Sequence, residues 1–308
     1  MGEPDAKGAE LIREIRELKR KRKAVILAHY YQRPEVQEIA DFVGDSLQLA
    51  QQAAATEAEV IVFCGVYFMA ESAKILSPQK TVLIPEPAAG CALADMATPE
   101  AVRARREENP GCVVVSYVNS SAAVKAESDI VCTSANALKV VSSLPAEETV
   151  LFLPDRNLGS YVARLTGRSL VLWDGRCPVH DRLTAGEVMA AKARHPEAKV
   201  LVHPECRPEV IDLADRVAGT GGMLEYVKSS QASSFIIGTE EGMLYPLKKA
   251  APDKEFFLAA DHLICPDMKL TTLEKVARAL LEMEPRVELE QEVMLNAQRA
   301  LKRMLELS

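Results

Sequence analysis

Three cysteines of this 308-residue chain lie in Gly/Pro-marked loops just after strand-like runs: Cys91 in AAGCALAD, Cys177 in DGRCPVH and Cys265 in HLICPDM. They are 86 and 88 residues apart. Thiolates gathered from three loops can hold a metal. Zinc with three cysteines and a water is one option, but structural zinc sites favour close CxxC pairs and none exists here. A [4Fe–4S] cluster usually takes four thiolates. With three, one iron is left open and can act as a Lewis acid towards a substrate oxygen. Cys64, Cys112 and Cys132 sit inside apolar runs and read as buried small hydrophobes. Seven cysteines, an odd number, argue against a disulfide framework.

Ring side chains form a second series with the same period. His29, Tyr117 and His203 each end an apolar run. Val36, Val124 and Val210 follow at a common offset, then Asp41, Asp129 and Asp215, then Ser46, Ser134 and Thr220. The tetrapeptide RPEV occurs at 33–36 and again at 207–210. The chain therefore reads as a triplication. His203-Pro204-Glu205 places an imidazole beside a carboxylate, a pair suited to proton transfer. Tyr117-Val118-Asn119 puts a phenol and an amide on one side of the chain, and His29 and Tyr31 do likewise. Ser46, Ser134 and Thr220 read as N-caps of helices whose free N–H groups can hold phosphate or carboxylate. His180 and His262, each within three residues of a loop cysteine, are expected to line the same space; His195 is expected at the surface.

The elements that must position these residues repeat as well. Each unit opens with a short apolar strand (24–28, 113–116, 200–202) and a helix starting near Pro34, Ser121 or Pro208. A second strand follows (DFVG, DIVC, DRVAG), then a helix, a third strand (VIVFC, TVLFL, SSFII), another helix and a fourth strand (TVLIP, SLVLW, EFFLA). The expected fold class is α/β: three αβα domains related by a pseudo-threefold axis, each with a short parallel four-stranded sheet, around a central active site. Ligands in such sheets bind beyond the carboxyl ends of the strands, where the ring side chains, the hydroxyls and the cysteine loops all lie. The expected boundaries are an N-terminal helix (1–23), three repeat domains (24–111, 112–197, 198–271) and C-terminal helices (272–308).

Charge and hydropathy exclude other classes. A net charge of −7 gives no reason to expect nucleic acid or an anionic membrane as a partner. No run approaches the ~20 apolar residues needed to span a bilayer, and the charged N-terminus does not read as a secretory signal. The expected location is cytoplasmic. GxGxxG and Walker patterns are absent.

The segments AHYYQ, DFVGDSL, SYVNSSA, VCTSANA, LPDRNLG, VHPEC and CPDMKLTTLEK, spread over nearly the whole chain, resemble the quinolinate synthase family, iron–sulfur enzymes of de novo NAD synthesis. The resemblance implies three homologous α/β domains around one site. It implies condensation of iminoaspartate with dihydroxyacetone phosphate to quinolinate, releasing phosphate and two waters. It implies one [4Fe–4S] cluster per chain on Cys91, Cys177 and Cys265. It also implies that His29, Ser46, Tyr117, Val118, Asn119, Ser134, His203, Pro204, Glu205 and Thr220 bind substrate. Tyr31, Tyr117, His203 and Glu205 would carry the chemistry, and an L-aspartate oxidase or dehydrogenase would hand over iminoaspartate. Some members carry a CxxCxxC arrangement near the last ligand; here Cys265 stands alone, so no redox-switching disulfide is expected. Around Thr220 the sequence reads AGTGG instead of a GST-like segment, which implies a different local loop. Cys206, in the HPEC segment, is not assigned to the cluster. The rival readings are another cluster-dependent hydro-lyase acting on a small acid, and a non-catalytic iron–sulfur sensor. The sensor would call for a helix-turn-helix or a basic patch, and neither is found.

Overall fold

The computed structural model describes residues 6–308. Among the described residues, twelve strands form three separate sheets. The first holds β1 (Ala24–His29), β2 (Phe42–Gly44), β3 (Val60–Cys64) and β4 (Thr81–Leu83). The second holds β5 (Val113–Tyr117), β6 (Ile130–Cys132), β7 (Val150–Leu153) and β8 (Leu170–Leu172). The third holds β9 (Lys199–Val202), β10 (Arg216–Val217), β11 (Ser234–Gly238) and β12 (Glu255–Leu258). All pairings are parallel, and each sheet runs second–first–third–fourth. That order reverses between the first and third strands, the switch point where parallel sheets open a crevice. The central strands are short apolar runs such as VIVFC and VLFL with both faces covered by helices, so they are buried along their whole length.

The repeated aspartates acquire a role here. Asp41, Asp129 and Asp215 each precede the second strand and tie it to the first. Their side chains accept from the backbone N–H of Ile26 (2.8 Å), Val114 (2.7 Å) and Val200 (2.8 Å). Their own N–H groups donate to the carbonyls of the same three residues. This two-way clasp fixes the register at the start of each sheet. Each aspartate also meets a cation outside, Lys19, Arg106 or Lys199; such part-exposed pairs contribute little.

A second threefold device follows each cysteine. Thr98, Thr184 and Thr272 stand seven residues after Cys91, Cys177 and Cys265. Each caps a helix through its side chain, accepting from the N–H of Ala101, Glu187 or Lys275. The tail helices pack within the chain. Helix Ala6–Lys21 buries Ile15 against Val276 and Leu280 of Leu273–Glu282. Helix Gln291–Glu306 buries Ala297, Leu301 and Met304 in a core shared with Ile130 and Val131. The helical tail expected over 272–306 is thus two helices, broken at Met283, whose φ of 58° ends the first. Cys64, Cys112, Cys132 and Cys206 are buried in the cores of their units.

Candidate functional site

The carboxyl ends of the three sheets face one cavity of about 310 Å³, a size suited to small molecules. His29 and Tyr117 end β1 and β5, and His203 follows β9; all three line it. Tyr31, Asn119 and Glu205 line it too, as do Ser46, Ser134 and Thr220. Val118 and Pro204 are buried but are not part of the lining. Of the seven cysteines, only Cys91, Cys177 and Cys265 reach it. His180 and His262 line it as well.

The hydroxyl residues are placed by helix starts, but not as N-caps. Asp45 caps helix Ser46–Ala55, accepting from the N–H of Gln48 in a capping box, which leaves Ser46 in the first turn. Gly219 is the N-cap of Thr220–Ser229, so Thr220 also lies inside its helix. Helix Ala137–Ser143 starts three residues after Ser134. The cap reading of all three is therefore corrected: the residue before Ser46 or Thr220 already has the extended backbone of a cap, and Thr133 and Asn136 form the turn that opens the helix beyond Ser134. Among the described residues none of the three hydroxyls has a hydrogen-bond partner, so each is available to the cavity. The AGTGG segment is explained here. A Cβ on Gly219 would meet Ser134 Oγ at 2.6 Å, and one on Gly221 would meet Asp45 Oδ2 at 2.5 Å. The three helix starts converge so closely that a side chain on the third would have to displace Ser134 Oγ or Asp45 Oδ2.

Each cysteine opens a short helical turn. The Cys91 sulfur is hydrogen bonded by the backbone of Ala94 and Leu93, Cys177 by that of His180, and Cys265 by that of Met268 and Asp267. Burial nevertheless pushes the thiols up, to about 12 for Cys91 and about 11 for Cys265, and Cys177 moves the same way. Binding of a cation would release their protons. Three half-buried cysteines within electrostatic reach of one another, each sulfur already facing backbone donors, fit an iron–sulfur group better than a disulfide. Cys177 Sγ also shares a pocket with His180 and Glu205, with ligand atoms within 4.8 Å of one another.

A hydrogen-bond chain crosses the cavity wall and joins all three units. The Tyr31 hydroxyl lies 2.5 Å from Thr239 Oγ1, which lies 2.8 Å from His180 Nε2. His180 Nδ1 lies 2.6 Å from Glu205 Oε2. The consistent assignment runs Tyr31 O–H to Thr239, Thr239 O–H to Nε2, and Nδ1–H to the carboxylate. His203 stacks on His180 with ring centroids 4.5 Å apart. Burial works to raise the Glu205 carboxyl, but the His180 hydrogen bond and the nearby Tyr117 phenol hold it below the usual carboxylate range. Its Oε1 is buried with no hydrogen-bond partner, an acceptor left open. Burial pushes His29 and His203 down to about 3, so both are neutral. Their Nδ1 atoms accept from the N–H groups of Tyr31 and Glu205, which leaves each Nε2–H as a donor. Tyr31 and Tyr117 are held well above the usual phenol range by burial and remain protonated.

Sequence reasoning missed Thr239, Asp45 and Arg182. Thr239 stands just past β11 in FIIGTE, a position without any motif of its own. Asp45 is visible in VGDS, one residue before Ser46. Arg182, five residues after Cys177, supplies the arginine of the cavity lining.

The family model described as quinolinate synthetase A protein matches residues 13–306. The quinolinate synthase of Desulforudis audaxviator is 58% identical over 97% of this chain and 98% of its own. That of Geobacter sp. strain M21 is 57% identical, over 95% of this chain and 96% of its own. That of Methanosarcina barkeri is 55% identical, over 96% and 97%.

Proposed function

The chain belongs to the quinolinate synthase family, and from that premise we propose how its cavity carries the reaction. The reaction condenses iminoaspartate with dihydroxyacetone phosphate to quinolinate, releasing phosphate and two waters. The observation that carries the site assignment is that, of seven cysteines, the three with the repeat period are the three that line the cavity beside Glu205.

Cys91, Cys177 and Cys265 would hold one [4Fe–4S] cluster. When bound, a cluster with three thiolate ligands supplies an open iron as Lewis acid towards a substrate oxygen. The chain's own residues bind and orient. Ser46, Ser134 and Thr220 offer hydroxyls at converging helix starts, where backbone N–H groups favour anions. His29 and His203 offer Nε2–H donors, and Asn119 an amide. These neutral donors can take up carboxylates and phosphate in a cavity that also holds Asp45, Glu205, Glu240 and Asp267. Glu205 accepts a proton at its open Oε1, and the phenol of Tyr117 donates one across the same space. Tyr31, Thr239 and His180 keep Glu205 ionised and aligned by donating along one chain of hydrogen bonds. The segments holding Val118 and Pro204 shape the backbone between these groups.

The same reading takes residues 24–111, 112–197 and 198–271 as the repeat domains, a cytoplasmic location, and delivery of iminoaspartate by an L-aspartate oxidase or dehydrogenase. Among the described residues no helix is long and apolar enough to cross a membrane. The test is anaerobic purification, reconstitution with iron and sulfide, and a quinolinate assay with iminoaspartate generated in place. Iron-loaded protein should form quinolinate and metal-free protein should not. An iron-loaded protein that forms none from both substrates would overturn the reading.

A further inference from the structure

The three cysteine loops are tethered alike by backbone but unequally by side chains. One bond is common to all. The residues two before Cys91, Cys177 and Cys265 offer their carbonyls to an N–H beyond the third strand. Tyr67 donates to Ala89, Arg156 to Gly175 and Glu241 to Leu263. The residue just before each donor is Val66, Asp155 or Glu240. The sheets place these three in equivalent positions, each two residues beyond Cys64, Leu153 or Gly238, which pair with Ala28, Ser116 and Val202.

Here the units part. Asp155 is fully buried. Its Oδ1 accepts from the N–H of Leu158 at 2.7 Å and caps helix Arg156–Thr166, while its Oδ2 accepts from the N–H of Cys177 at 3.1 Å. Glu240 is fully buried too. Its Oε2 accepts from the N–H of Gly242 at 2.8 Å and its Oε1 from the N–H of Cys265 at 3.0 Å, with Lys269 Nζ 2.9 Å from the same oxygen. Val66, in the first unit, offers no acceptor to Cys91.

We propose that Asp155 and Glu240 are positioning residues for the cluster: each fixes the backbone amide of a ligand cysteine from behind, so that two of the three sulfurs are pre-set while Cys91 is held by its loop alone. This rests on Cys177 and Cys265 being ligands. A carboxylate whose two oxygens both accept backbone N–H bonds locks peptide orientation, and with it the direction of the adjoining Cα–Cβ–Sγ arm. Partners that orient metal ligands in this way typically change metal affinity by about 10–100-fold when removed.

The variants are chosen to separate this role from simple stability. Asp155→Ser keeps an acceptor for the Leu158 N–H but loses the one for Cys177. Glu240→Gln keeps one oxygen and places an NH₂ where the second accepts. Asp129→Asn is the control, because it weakens a similar backbone clasp at the far end of a sheet. Each holoprotein is reconstituted anaerobically and challenged with an iron chelator. The readouts are the rate of cluster loss, the EPR line shape of the reduced cluster, and the thermal midpoint of the metal-free protein. Asp155→Ser and Glu240→Gln should lose the cluster at least about tenfold faster than the parent, with an altered line shape. Asp129→Asn should lower the midpoint without either effect. Should Asp155→Ser fail to fold, Glu240→Gln alone decides. Parent-like loss rates and line shapes in the clamp variants overturn the proposal. A parent that assembles no cluster overturns instead the assignment of the cysteines.

Discussion

At the starts of the first strands the three units are alike; at the ends of the same strands they differ. The starts are held by the same residue three times, Asp41, Asp129 and Asp215, in the same two-way bond with Ile26, Val114 and Val200. The ends present His29, Tyr117 and His203, then Val66, Asp155 and Glu240 beyond the third strands. The first set answers a backbone requirement that the three sheets of this chain share. All of the second set except the buried Asp155 line a cavity that must receive two dissimilar substrates. Threefold symmetry therefore persists in the backbone clasps and breaks among the side chains at the strand ends, while the three cysteines and three hydroxyls keep it inside the cavity.

The largest effect should come from the broken end. Glu205→Gln keeps the shape but removes the charge that His180 and Tyr117 are arranged around, and Tyr117→Phe removes only a hydroxyl. Turnover should fall by roughly 10²–10⁴ in each, with cluster content unchanged; steady-state quinolinate formation measures it. Parent-like turnover would make this end as structural as the other.

Alanine at Ser46, Ser134 or Thr220 should weaken anion binding by about tenfold or more, since a hydrogen bond to a charged group contributes roughly 1.5–3 kcal/mol. Calorimetric titration with a phosphate ester and a dicarboxylate reads this out. Because none of the three is a side-chain N-cap, the thermal midpoint should hardly move. Unequal losses among the three would sharpen the contrast between the two ends.

At the symmetric end the expected pattern is reversed. Asparagine at Asp41, Asp129 or Asp215 keeps an oxygen but compromises the clasp. Each should lower stability by about 1–3 kcal/mol, similarly in all three units, with little change in turnover per folded molecule. Denaturant unfolding compares them. A loss confined to one unit would break the comparison.

A further effect is electrostatic and shows only below neutral pH. Burial lowers the His29 imidazole from 6.5 to about 3, with Lys269 pushing it down further and Glu205 opposing. Between those values the unfolded chain binds more protons at this residue than the folded one. The stabilising contribution of neutral His29 is complete above pH 6.5 and is lost as pH falls towards 3. His29→Asn keeps an acceptor for the Tyr31 N–H and removes the titration, so its unfolding free energy should decline less steeply than the parent's over that window. Parallel pH profiles would contradict the burial argument.

The contrast also explains what could be read from the sequence. The strands, their repeat and the three cysteine loops were legible because apolar runs and a fixed period mark them directly. The sequence marks the helix starts at Ser46 and Thr220 but not their roles, because Asp45 and Gly219 already occupy the cap and each hydroxyl residue falls one position further in. The repeat's side-chain caps, Thr98, Thr184 and Thr272, followed the cysteines at a constant distance and could have been found by carrying the alignment past them. Thr239, Asp155 and Glu240 were not legible. Their roles depend on loops from different parts of the chain meeting, and a buried carboxylate bears no local pattern to set it apart from a surface one.

The central claim, that three loop cysteines and no others hold the metal, is tested most directly by iron and acid-labile sulfide analysis of all seven single Cys→Ala variants after anaerobic reconstitution. Cys91, Cys177 and Cys265 should each abolish the cluster, while Cys64, Cys112, Cys132 and Cys206 should retain full content with only a packing loss. Full content in any of the first three, or none in a stably folded variant of the other four, would contradict the account.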